Sequence, residues 1–385
     1  MKVVLGHPAR KSQFYKRKKI REDIIEKINV GSNLLISAPR RFGKSSILLD
    51  LIDDPIDDFY AVFIDSEDID DAEVFFKELL KEILNTDAIE TYGRFKHHTK
   101  SFFKDWSNRI SEIKIAGSGI GINNGKVESD YNLFKDFINK YEFDRKIVII
   151  VDEFPETIKK IHHKNGMEAA TQFLSQNRSV RQNHRLADKV SFIYTGSIGL
   201  QSVVNNLSSP EKINDLEEIK IRPLEKVEAI KLAGRLLKDK SLKLPENLQD
   251  YFIKKLDLLI PFHVQLMVKE LADICFEKAI IQMEDIDSAF AGVVKNGNIY
   301  FESYKSRLNE SFSKAELNFI QKLLLQIKEK NQLHFAEISN LATVCKIEDK
   351  YETVLETLLY DGYLVAEEPK GYYSFYSIIL KSWWK

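Results

Sequence analysis

Cysteine is almost missing from this chain: 385 residues carry two, Cys275 and Cys345, far apart and each in an apolar, helix-like context. That scarcity excludes a disulfide framework and a cysteine-based zinc site, and two reduced core thiols are expected. The paired histidines His97-His98 and His162-His163 have no ligand spacing with a cysteine or an acidic cluster, so surface loops are expected there rather than metal. A run of roughly 20 apolar residues, enough to span a bilayer, is also missing. The polar start after Met1-Lys2-Val3-Val4-Leu5-Gly6 lacks a signal-peptide apolar segment. Nor is there an excess of charge. Lysine and arginine number 57 against 58 aspartate and glutamate, and a net charge of −1 offers no global attraction for nucleic acid. These absences lead to the expectation of a soluble, cytoplasmic, multi-domain protein with no membrane association.

What is present is an alternation of short apolar runs with helical patterns. Residues 33–37, 60–64, 146–151, 190–194 and 218–221 read as strands of a buried sheet. Residues 74–84, 102–110 and 131–141 read as helices, and the four glycines within 112–125 suggest a hairpin or extended ribbon. After Pro223 four helical patterns follow without a strand (224–238, 248–259, 264–278 and 284–294), and Gly297-Asn298 marks a linker. From Ser313 three helices (314–328, 335–344, 349–360) precede two aromatic strands (363–366 and 372–376), the order of a winged helix. The expected fold class is therefore an α/β P-loop NTPase core with a parallel five-stranded sheet over residues 1–222. An all-α lid follows over 223–300 and a winged-helix domain over 301–385.

Ala38-Pro39-Arg40-Arg41-Phe42-Gly43-Lys44-Ser45 follows the first strand and opens a helix at Ser46. It departs from G-x-x-x-x-G-K-[ST] only at Ala38, which stiffens the loop and adds little bulk. Such a loop aims backbone N–H groups and a helix N-terminus at phosphate oxygens. Lys44 adds a point charge near the β and γ oxygens, Ser45 supplies a hydroxyl to magnesium, and Gly43 permits close backbone approach. The run Ile147-Val148-Ile149-Ile150-Val151-Asp152-Glu153 ends an apolar strand in two carboxylates. Asp152 is the expected magnesium-side acid. Glu153 either polarises the attacking water or caps the helix that follows, with Pro155 in its first turn. At the tip of the fourth strand, Thr195 and Ser197 are alternative contacts to the γ-phosphate or the attacking water, unless Thr195-Gly196-Ser197 is simply a turn.

Together these residues resemble the prokaryotic, archaeal-type ATPase family near the STAND branch of the AAA+-like P-loop ATPases. The resemblance rests on Phe14-Tyr15-Lys16-Arg17, on residues 38–46 with their paired arginines, on Asp152-Glu153-Phe154, on residues 192–200, on Pro223-Leu224, and on Asp361-Gly362-Tyr363-Leu364 with residues 375–384. It implies a core of strand order 5-1-4-3-2, ATP with Mg2+ as cofactors, and a base site between Tyr15–Arg17 and the lid, where Pro261 stands in the family's Gly-x-Pro element. Between Ile198 and Ile221 there is no arginine, whereas a ring motor of the wider class places its trans-acting arginine there. The implied function is an ATP-hydrolysing switch acting on a protein partner or a further copy of itself, in signalling or anti-phage defence. Arg178, Arg181 and Arg185 either reach a neighbouring subunit or form a solvated basic face. The alternative function is a DNA-binding ATPase of initiator or transposition-helper type. Against DNA, the third helix of the winged helix carries Glu348, Asp349, Glu352 and Glu356 around Lys350, and the wing tip Glu367-Glu368-Pro369-Lys370 is net acidic. The basic run Lys16-Arg17-Lys18-Lys19 with Arg21 is the other nucleic-acid candidate, or a charged face beside the nucleotide entrance.

Overall fold

A computed structural model describes residues 1–86, 120–123, 126–196 and 199–385. Much of the glycine-rich stretch, the helix expected at 102–110, and Ser197 lie outside the described residues. The chain divides into two compact units: residues 16–37 with 44–221, and residues 1–15 with 38–43 and 222–385.

In the first of these, helix α1 (Lys18–Asn29) leads to β1 (Asn33–Ser37), and α2 (Lys44–Asp53) to β2 (Phe59–Asp65). Helix α3 (Ala72–Leu84) starts where the Asp71 side chain accepts hydrogen bonds from the N–H groups of Glu73 and Val74. A two-stranded antiparallel hairpin follows, β3 (Ile120–Asn123) with β4 (Lys126–Ser129), and then α4 (Asp130–Lys140). Strand β5 (Lys146–Asp152), helix α5 (Phe154–Arg181), β6 (Val190–Thr195), α6 (Leu200–Asn206) and β7 (Leu216–Lys220) complete the unit.

The five-stranded sheet runs β2-β5-β6-β1-β7 with every pairing parallel. Counting only its own strands along the chain, this is the order 5-1-4-3-2. The central strands explain the pattern: β6 is buried at every position, and β5 at every position after Lys146, because helices cover both faces. Edge strand β7 buries only Ile219. A cluster of aromatic rings fills one side. Phe75 packs edge-on to Phe173 at 4.9 Å, and Phe154 lies 4.4 Å from Tyr194. Helix α5 breaks once, at Gly166, whose φ of 87° only glycine adopts readily.

The other unit holds α7 (Lys226–Asp239), α8 (Glu246–Leu256), α9 (Pro261–Ile274), α10 (Met283–Asn296) and α11 (Asn298–Ser311). Where the sequence suggests a linker at Gly297-Asn298, the structure continues with helix α11. Gly297 has an ordinary φ of −73°, and its missing side chain makes room for Phe301, since a Cβ there would lie 2.5 Å from the ring. Helices α12 (Lys314–Lys330), α13 (Phe335–Cys345) and α14 (Tyr351–Tyr360) form the three-helix part of a winged helix. Its sheet has three strands rather than the two legible in the sequence. The short β8 (Gln332–His334) pairs antiparallel with β10 (Tyr372–Phe375), which pairs with β9 (Leu364–Glu367). Three residues are too few to show a period. Helix α15 (Ile378–Trp383) closes the chain, capped by the Ser377 hydroxyl. Both cysteines are buried and unpaired by disulfide, and no helix among the described residues is long and apolar enough to cross a membrane.

Candidate active site

The last residue of β1 and the first of α2 bracket residues 38–43, and two of those six have positive φ: Arg41 at 71° and Gly43 at 87°. At the start of α2, Lys44 and Ser46 are buried. The first N–H groups of a helix have no partner within it, so this end is a ready anion site.

Opposite stands the end of β5. The Ser45 hydroxyl donates to Asp152 Oδ2 at 2.6 Å. Burial pushes the Asp152 carboxyl up to about 6. The charges of Glu153 and Asp65 push the same way, while the Ser45 hydrogen bond and Lys44 act against them. A buried carboxylate held up in this way is short of positive charge. Two hard oxygen donors in contact fit Mg2+, which takes one or two protein oxygens and fills its shell with water and phosphate. Among the described residues no group of three or more His, Cys, Asp or Glu could hold a metal ion.

Glu153 takes the left-handed conformation at φ 56° and ψ 30° at the N-cap of α5, and its side chain makes no capping hydrogen bond. The capping alternative therefore does not describe this side chain. A left-handed glutamate is a locally costly choice that the surroundings must enforce. Two residues that sequence reasoning passed over provide that enforcement. Ser66, fully buried just after β2, donates to the Asp152 carbonyl through both its N–H (3.1 Å) and its hydroxyl (2.7 Å). The buried Thr157 hydroxyl lies 2.7 Å from the Ser66 carbonyl and 2.8 Å from its hydroxyl. The available signal was a serine directly after a strand and a threonine one helical turn past Glu153.

Thr195 ends β6 opposite Ile36 of β1. It is fully buried, and its hydroxyl has no hydrogen-bond partner among the described residues. Arg17 is buried in the sheet unit. Tyr15, in the helical unit, lies under the Arg235 guanidinium at 5.1 Å, and Pro261 is the first residue of α9. Of the three arginines, Arg178 and Arg181 lie on α5 and Arg185 in the turn after it, and Arg181 does not belong to a solvated face. It is buried, with Nε and Nη2 on the two Asp215 oxygens at 2.7 and 2.9 Å and Nη2 also on the Lys212 carbonyl. The basic run near residue 20 is partly neutralised: Lys16 pairs with Asp54, and Arg21 with Asp50 at 2.8 Å. On the winged helix, Glu348, Asp349, Glu352 and Glu356 are all exposed, so the face a DNA backbone would meet is acidic.

No protein-family model matches the chain, and no curated protein matches it. Among solved structures, it is similar over 99% of its length to a Walker-type ATPase of Pyrococcus abyssi, of which 99% is covered, with a TM-score of 0.66 and 16% identity. It is also similar over 97% of its length to the ORC2 protein of Aeropyrum pernix in ADPNP–ADP complexes, of which 93% is covered, with a TM-score of 0.56 and 10% identity. At these identities the likeness is one of fold. The chain shares with them its fold: a parallel five-stranded sheet in the strand order of P-loop NTPase cores, a helical region, and a C-terminal winged-helix arrangement.

Proposed function

We propose that the protein is an ATP-binding and ATP-hydrolysing molecular switch of the AAA+/STAND type. The observation that carries this reading is the 2.6 Å contact of Ser45 with Asp152, next to Lys44 and to the left-handed Glu153. In the proposed reaction the α2 N-terminus and Lys44 hold the triphosphate, with the loop Ala38, Pro39, Arg40, Arg41, Phe42, Gly43 and Ser46 around it. Ser45 and Asp152 would hold Mg2+, which would supply charge neutralisation on the phosphate oxygens. Glu153 orients a water and accepts its proton as the water oxygen bonds to the γ-phosphorus. The bond from that phosphorus to the β–γ bridging oxygen breaks, leaving ADP and inorganic phosphate. The buried Thr195 hydroxyl is the proposed γ-phosphate sensor. Tyr15 and Arg17 with Pro261 are the proposed base-side residues.

The switch works through three domains: a core over 1–222, a lid over 223–300 and a winged helix over 301–385. ATP draws the lid and winged helix onto the core, and hydrolysis releases them. The recipient is a protein partner or another copy of the chain, in the cytoplasm, with signalling or anti-phage defence as the setting. Steady-state ATPase assays test the enzyme reading. Lys44→Ala should lose nucleotide binding and Glu153→Gln should keep binding while losing turnover; unchanged turnover in both variants sinks it. The winged helix itself favours a second reading, a DNA-binding ATPase. Duplex binding at micromolar affinity or tighter, with a steep salt slope, would establish that one. The exposed carboxylates of the third winged-helix helix weigh toward a protein partner.

A further inference from the structure

The six loop residues 38–43 group with the helical unit, and their side chains explain why. Arg41 is the non-glycine residue with left-handed backbone in the loop, at φ 71°. Its guanidinium lies 4.6 Å from the ring centre of Phe262 on α9 and 5.8 Å from that of Tyr300 on α11, and donates to the Leu5 carbonyl at 3.3 Å. A planar cation between two aromatic faces with a backbone acceptor at its edge is a fixed group. The next residue, Phe42, is buried and stacks on Tyr376 with ring centres 6.0 Å apart and planes 22° from parallel. Pro39 rests on Gly362, so closely that a Cβ at 362 would fall 2.6 Å from the Pro39 Cβ, and Gly362 itself needs φ 77°. Three loop residues are thus gripped by three separate parts of one unit: the lid, the helix after it and the winged helix.

We infer that the phosphate loop is held in its binding shape by this clasp. Arg41, Phe262, Tyr300 and Tyr376 are then positioning residues for nucleotide, and Arg41 serves as an anchor rather than a phosphate ligand. The inference rests on the phosphate-site reading of residues 38–45. Its physical basis is the loop's own composition. Ala38 stands where the pattern has glycine, and Arg41 occupies a backbone region that disfavours a long side chain. Left to itself, such a loop has little reason to keep this conformation. A side chain clamped at its far end supplies one.

The test is the dissociation rate of a fluorescent ADP analogue, with its equilibrium affinity, measured on the full-length chain. Phe262→Leu, Tyr300→Leu and Tyr376→Leu are each expected to speed release about 5- to 20-fold, whereas Tyr376→Phe, which keeps the ring, should match the wild type. Arg41→Gly relieves the left-handed backbone and removes the anchor, and it too should speed release. Combined with Phe262→Leu it should add nothing further, because both remove the same contact. Wild-type release from the three aromatic variants, each folded by circular dichroism, overturns the clasp. So does Arg41→Gly that binds as tightly as the wild type, because that loop would then need only its backbone. Loss of binding in Arg41→Gly with no effect of Phe262→Leu or Tyr300→Leu makes Arg41 a phosphate ligand and likewise overturns it. A wild-type chain that binds no ADP analogue while Lys44→Ala behaves identically removes the phosphate-site reading itself, an outcome separate from any pattern among the clasp variants.

Discussion

Residues 38–43 and residues 44–46 are parts of one eight- or nine-residue motif, yet they belong to different compact units. Lys44, Ser45 and Ser46 go with the parallel sheet, where Ser45 meets Asp152 and the polar atoms face one another at hydrogen-bond distance. Residues 38–43 go with the helices, where the contacts are aromatic, cationic and steric. On the proposed reading, one half would carry the chemistry and the other the shape. The comparison then teaches that a phosphate loop need not be a self-contained cradle: a sheet would build its proposed reactive half, while side chains from a separate part of the chain would set its conformation.

The comparison breaks most sharply at Glu153. Glu153→Gln should lower ATP turnover by roughly 10²- to 10⁴-fold, the usual worth of a general base, with nucleotide release unchanged. Tyr376→Leu should do the reverse, changing release with little effect on the chemical step. A turnover loss of that size in Tyr376→Leu would erase the division between chemistry and shape.

A pH series distinguishes the two units by sign. Burial pushes His263, on α9 of the helical unit, down to about 4, so the native state keeps the ring neutral while the unfolded chain takes up a proton near 6.5. The associated stabilisation is fully present above about pH 6.5 and is lost as pH falls toward 4, to the extent of about 3 kcal/mol. Asp152, in the sheet unit, is shifted the other way, and acidification over the same range favours its native, protonated form. Chemical denaturation of His263→Gln should show a flatter acid limb than the wild type; an identical limb would mean that the histidine is not desolvated in solution.

A smaller effect is expected at the brace behind Glu153. Thr157→Val keeps the volume and removes a buried hydroxyl hydrogen-bonded to Ser66, which should cost about 1–2 kcal/mol of stability. It should also lower turnover more than it raises KM, because the turn carrying Glu153 is loosened, and Thr157→Ser should restore both. Stability loss without any kinetic change would confine Ser66 and Thr157 to the core. The smallest predicted shift is at Arg185, the exposed arginine in the turn after α5. Arg185→Ala should move stability by no more than about 0.5 kcal/mol, whereas removing the buried Arg181 should be costly, since it leaves the half-buried Asp215 without its partner.

Much of this was legible before any coordinates. The continuous apolar runs at β5 and β6 announced strands buried on both faces, and the helical intervals announced parallel crossovers. The Gly43-Lys44-Ser45 triplet and the Asp152-Glu153 pair suggested, by residue type alone, the phosphate and cation chemistry proposed above. Local signals failed where an element is short or where its partner is remote. Strand β8 has three residues and no period to display. Gly297 looked like a chain break and proved to be a close approach to Phe301.

What the amino-acid order determined by itself was therefore the class of fold, because hydrophobic period is a local property that survives without neighbours, and residue identity alone suggested the chemistry proposed above. What only the tertiary structure decided was the use of each ambiguous polar group. Glu153 became a left-handed residue whose side chain makes no capping bond, Arg181 a buried partner of Asp215, and Arg41 a cation held between two rings. Those roles depend on which side chains, tens to hundreds of residues away, arrive within a few ångströms, and pairing at such separation leaves no trace in a single sequence.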